Sequence, residues 1–126
     1  MNDHAVTIDL PFHNRGERYP SIVFGPITVG APGSEATPSG ALSRVRMEFR
    51  KGTLSFTMDS TAGTGVDQAI TLTNAATWIA TVPELTTFLP EEGNWKWDAF
   101  FWETGVSAPW KLYKGVLKAG STVTRV

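Results

Sequence analysis

Cysteine is absent from the 126 residues, which excludes a disulfide framework, a thiolate zinc site and a cysteine nucleophile. Two histidines, His4 and His13, leave little for a metal centre, and no cofactor is expected. No apolar run approaches the roughly 20 residues that span a bilayer. Asp3, Asp9 and Pro11 interrupt the N-terminus where a secretory signal would carry its hydrophobic region, so a soluble chain without a membrane partner is expected. Charge of one sign is lacking too. Eleven Lys+Arg stand against 12 Asp+Glu, for a net charge of -1, which supports neither a strongly basic nucleic-acid surface nor an acidic solvating tail. The chain is 41% hydrophobic and only 18% charged, a balance typical of folded domains. At this length one core is expected, with residues 1–126 forming a single domain.

What is present points to strands. Twelve glycines and eight prolines punctuate short alternating segments, the signature of strands joined by turns. Residues 5–10 alternate Val6, Ile8 and Leu10 with Ala5, Thr7 and Asp9, the period of two of a strand with one buried face. Residues 19–24 carry Pro20, which suits an edge, and 27–29 form a short extended piece. Residues 30–40 (GAPGSEATPSG) read as a flexible loop within the domain. The clearest pattern is a hairpin at 42–59. Val45, Met47 and Phe49 oppose Arg44, Arg46, Glu48 and Arg50, Lys51 and Gly52 turn the chain, and Leu54, Phe56 and Met58 return on the buried side. Each of these six apolar side chains is worth roughly 1.5–3 kcal/mol when removed from water.

Further strands are predicted at 70–73 and 78–82, and one short helical turn at 83–89, where Pro83 and Glu84 suit a helix start and Pro90 stops it. Residues 94–103 place Trp95, Trp97, Ala99 and Phe101 on one face and Lys96, Asp98, Phe100 and Trp102 on the other. Residues 110–119 form the return strand, with Lys111, Tyr113, Gly115 and Leu117 opposed to Trp110, Leu112, Lys114, Val116 and Lys118. Seven or eight short strands and one helical turn predict an all-β, antiparallel β-sandwich.

Enzyme motifs are sparse. There is no phosphate-cradling glycine loop, no zinc-spaced histidine pair and no nucleophile elbow. Glu91, Glu92 and Asp98 offer carboxylates, but a glycosidase pair needs a cleft that a small sandwich seldom provides. Asp98 lies mid-strand among aromatics, where a carboxylate needs hydrogen bonds or an arginine such as Arg44, Arg46 or Arg50. Trp95 and Trp97 fall on the core face. Phe100, Trp102 and Trp110, with the Arg44, Arg46 and Arg50 stripe, are the candidate interface residues, serving a protein contact or, for the tryptophans, a sugar platform.

The order of parts adds a resemblance. VTIDLPFHNRG, a hairpin around RMEFRKGT, ITLTNAATWIATVP, GNWKWDAFFWETG, LYKGVL and STVTRV together resemble a family of small bacteriophage virion proteins, similar to the immunoglobulin-like N-terminal domains of baseplate and receptor-binding tail proteins. The most specific elements are Trp97-Asp98, the strand Lys114-Gly115-Val116-Leu117 and the ending Val123-Thr124-Arg125. The resemblance implies an immunoglobulin-like sandwich, a non-enzymatic role in tail, baseplate or neck assembly, other virion proteins and further copies of the chain as partners, and location in the virion. The alternative is a small carbohydrate-binding or adhesin module that binds a glycan through exposed tryptophan.

Overall fold

A computed structural model describes residues 6–15, 17–29, 33–85 and 88–120. Among them ten strands follow one another: β1 (Val6–Thr7), β2 (His13–Asn14), β3 (Ile22–Phe24), β4 (Leu42–Lys51), β5 (Leu54–Asp59), β6 (Gln68–Ala69), β7 (Thr71–Asn74), β8 (Ile79–Val82), β9 (Gly93–Glu103) and β10 (Trp110–Gly120). The protein is all-β. The long strands form a sheet in the order β1-β10-β9-β4-β5-β6, with β2 also on β10, and β3-β8-β7 form a second sheet. No helix among the described residues is long and apolar enough to cross a membrane.

The β4–β5 hairpin forms where alternation placed it, with Met47 opposite Met58 and Phe49 opposite Phe56. Its two-residue loop puts Gly52 at φ 60°, the positive φ that primed hairpin turns require and glycine adopts without a Cβ penalty. β9 lies between β4 and β10, antiparallel to both. Its inward row, Trp95, Trp97, Ala99 and Phe101, is buried, together with Val45, Met47, Phe49, Phe56 and Met58. One core cluster takes residues from both sheets. Phe24 of β3 sets its ring centroid 5.1 Å from Tyr113, 6.0 Å from Phe101 and 6.4 Å from Trp97. On β10 the inward position opposite Trp97 is Gly115. A Cβ there would come within 2.1 Å of the Ile8 carbonyl oxygen, so only glycine admits the N-terminal segment at this point.

Several expectations are corrected. The large sheet is mixed, because β1 and β2 run parallel to β10 and β6 runs parallel to β5. Each parallel pair is a two-residue contact made as connecting chain passes along an edge, too short for alternation to announce. The strand expected at 5–10 shrinks, among its described residues, to Val6–Thr7, and Val6 faces solvent. The helical turn expected at 83–89 is not seen among its described residues. Leu85 instead exchanges both backbone hydrogen bonds with Tyr19, at 2.7 and 3.0 Å, and Phe88 and Leu89 enter the core; pairing with the edge near Tyr19 outweighs a one-turn helix, which has a costly nucleus. Residues 86 and 87 lie outside the described residues, as do 30–32 of the expected loop and the closing 121–126. The rest of that loop is tied back to the extended piece before it, since Val29 and Ala36 exchange hydrogen bonds at 2.9 and 3.0 Å.

Leu54 is also corrected. It is 36% exposed because the Lys51–Leu54 pair lies one position past the β4–β9 ladder, which stops at Arg50–Lys96. The contrast gives a stability prediction. Trp97→Ala should cost about 3–5 kcal/mol through the cavity it leaves, whereas Leu54→Ala should cost about 1 kcal/mol or less. Urea unfolding of the two variants beside the parent protein measures both, and equal costs would contradict the register described.

Candidate interaction surface

The same pleat that buries one row of β9 turns the other outward. Register then sets the outward rows side by side: Arg50, Lys96 and Val116 in one line across the sheet, Glu48, Asp98 and Lys114 in the next, and Arg46, Phe100 and Lys111 in a third. Arg44 pairs with Trp102 beyond them, and Lys118 continues the row on β10 opposite Asn94. Asp59 of β5 stands opposite Arg46. This face is rich in cations.

Its polar groups are linked in series. Asp59, whose side chain is 0% exposed, accepts from Arg44 Nε at 3.1 Å and Nη2 at 2.6 Å, from Arg46 Nη1 at 3.0 Å and from the Thr61 amide at 2.9 Å. Arg46 Nε donates to Glu48 at 2.7 Å, and Arg50 donates to the other oxygen of Glu48. Arg50 in turn lies 3.6 Å from Asp98, which Lys111 approaches to 3.9 Å. Charge-assisted bonds of this kind are the strong ones, and the bidentate Arg44–Asp59 pair sets the guanidinium plane. That plane lies over the Trp102 ring at 4.6 Å, a cation–π contact of about 0.5–1 kcal/mol at an exposed site. Trp102 also donates from Nε1 to the Ser107 carbonyl at 3.2 Å and has Phe100 6.4 Å away. The arginines and aromatics of this face are held in place by contacts within the fold.

The ladder carries a pH dependence. Burial alone would raise the Asp59 carboxyl, but hydrogen bonds from Arg44, the Thr61 amide and Arg46 outweigh it and hold the group below its ordinary value of 3.8. Glu48 is lowered as well, first by its bond from Arg46. His13, on β2, is buried against Tyr19 and Phe88, and that burial, with Arg15 nearby, lowers its pKa.

Of the candidate interface residues, Phe100, Trp102, Arg44, Arg46 and Arg50 share this one face, and Arg50 is the arginine that meets Asp98. Trp110 does not join them. It stands opposite Phe101, on the inward-facing side of β10 at the sheet end, and is 43% exposed. The reason is a bulge between Lys111 and Tyr113, which breaks the period of two and exchanges the faces of Trp110 and Lys111 relative to strict alternation. Sequence reasoning missed Asp59 as the anchor of the arginines, since it reads as the polar end of a strand. It also missed the lysines as members of one surface, although alternation alone places Lys96 and Lys114 outward. Glu91 bonds Lys51, and Glu92 lies 3.9 Å from Arg15, so these carboxylates serve ion pairs at the base of β9. Among the described residues no group of three His, Cys, Asp or Glu side chains could hold a metal ion.

Comparison with protein-family models, with curated proteins and with solved structures returns no match to the chain.

Asp59→Asn tests the ladder. A carboxylate with a depressed folded pKa contributes stability that is present above its unfolded value and is lost as pH falls through the folded one. The variant should lose about 2 kcal/mol near pH 7, and the gap from the parent protein should close as the pH falls below the ordinary carboxyl value of 3.8 and through the lowered folded one. Thermal melts across that range check both the size and the direction.

Proposed function

We propose that the chain is a non-enzymatic assembly domain that docks protein through the outer face of its large sheet, and that the partner is a second copy of itself within a phage tail, baseplate or neck. The observation that carries this reading is the cationic, aromatic-bearing outer face set against a net charge of -1 for the whole chain. Because the face holds an excess of lysine and arginine, the remainder of the chain carries an excess of acid. A second copy therefore offers complementary charge, and complementarity of that kind steers encounter and sets register. A contact between two different surfaces is heterologous and builds rings or filaments, forms that suit a virion.

Size supports the same reading. Eleven residues of β9 extend about 35 Å, and four strands at about 4.8 Å spacing give a face on the order of 600 Å². Covering it on both partners buries about 1,200 Å², the lower end of specific interfaces. The cross-sheet contacts of Phe24 favour a two-layer, immunoglobulin-like sandwich as the architecture, and the family resemblance supplies the virion setting. A carbohydrate-binding or adhesin role is the weaker alternative, because Arg44 already covers one side of the Trp102 ring and Trp110 stands apart.

Sedimentation velocity tests the proposal. The parent protein should form concentration-dependent oligomers that dissociate as salt rises, and Trp102→Ala should weaken association about tenfold, as loss of an aromatic anchor does, with its melting temperature within a few degrees of the parent's. A strictly monomeric parent protein would overturn the second copy as partner, and saturable tryptophan-fluorescence shifts with glycans would favour the adhesin role.

A further inference from the structure

Within the outer face lies an open concavity of about 310 Å³ lined by Thr7, Arg50, Lys96, Asp98, Lys114 and Val116, among others. We infer that it seats a carboxylate side chain from an acidic, apolar-flanked peptide segment of the docking partner. The inference rests on the docking role proposed above and names the chemistry that the face recognises.

Three observations converge on it. Four cations, Arg50, Lys96, Lys111 and Lys114, line the concavity with one carboxylate, Asp98, while Glu48 beside it bonds Arg50. The Asp98 carboxylate is only 15% exposed and is engaged by Arg50 at 3.6 Å and Lys111 at 3.9 Å, so its charge is offset at the floor while Lys96 remains exposed at the rim. The concavity therefore presents net positive charge to a visitor. Its rim is also apolar on one side, with Val116 39% exposed and in line with Lys96. An acid followed by an aliphatic residue meets both.

The volume sits at the low end for ligand pockets, which run from about 300 to 1,000 Å³. It suits one or two side chains and is small for stacked bases. A phosphodiester backbone tracks a continuous basic stripe, whereas here Glu48 and Asp98 interrupt the cations along one line of the sheet. A peptide, whose charges come singly, avoids both acids.

The test uses the full chain, isotope-labelled, titrated with a Glu-Leu-Glu-Leu-Glu peptide while amide shifts are recorded. Saturable shifts should centre on Lys96, Asp98 and Val116. Lys96→Glu should weaken the peptide by roughly tenfold, and Asp98→Asn, which removes the acid at the floor, should tighten it several-fold. A merely structural role for these residues would not move binding in opposite directions. A neutral Gln-Leu-Gln-Leu-Gln peptide should give no saturable shift; equal binding of it would overturn the carboxylate seat. So would tighter binding of a single-stranded oligonucleotide at the same residues, or the absence of peptide shifts. If the peptide fails while Trp102-dependent association persists, only the seat is wrong. If it binds a chain that never self-associates, the seat stands and the second copy as partner falls.

Discussion

The whole arrangement depends on β9 being hydrogen-bonded on both sides. A strand paired by β4 and by β10 along nearly its full length cannot slip by one residue without carrying every side chain to the opposite face. Slippage here would expose Trp95, Trp97 and Phe101 and bury Lys96 and Asp98, exchanging hydrophobic burial for charge desolvation. The core and the outer surface are thus two sides of one constraint. The aromatic packing that stabilises the fold also sets where the cations and Trp102 stand.

Burial of Asp59 extends that constraint to the surface. A carboxylate removed from water demands partners, and Arg44 and Arg46 supply them from the neighbouring strand. Because each arginine is bonded in turn to another acid or laid on a ring, the charged face keeps little side-chain freedom in the folded chain. Association is costly in ordering entropy when long cationic side chains must be immobilised, and here much of that ordering is completed by folding. A cationic surface whose three arginines already share Asp59, Glu48 and Asp98 attracts polyanions less strongly than an uninterrupted basic stripe would.

The hairpin at β4–β5 and the two faces of β9 were legible because each is a long antiparallel segment with one side buried, where period two reflects the burial directly. Five of the six candidate interface residues fall on one face for the same reason. Trp110 could not be placed, since a single bulge shifts the phase and alternation has no means of locating it. Leu54 follows the buried pattern yet lies past the end of the ladder, so periodicity assigned its face correctly and its burial wrongly. The stretch at 83–89 carried the end signals of a helix, but Leu85 found a strand partner in Tyr19, more than sixty residues away.

Local pattern by itself therefore determined the all-β class, the strand positions of the long elements and the inward facing of Trp95 and Trp97, because these follow from alternation and turn chemistry within a few residues. Only the tertiary structure decided which edges pair in parallel, that Asp59 gathers two arginines, and that lysines from β9 and β10 meet around Asp98. Those outcomes depend on register between strands distant in sequence, and register is set by the sum of packing over the whole sheet, which no single segment contains.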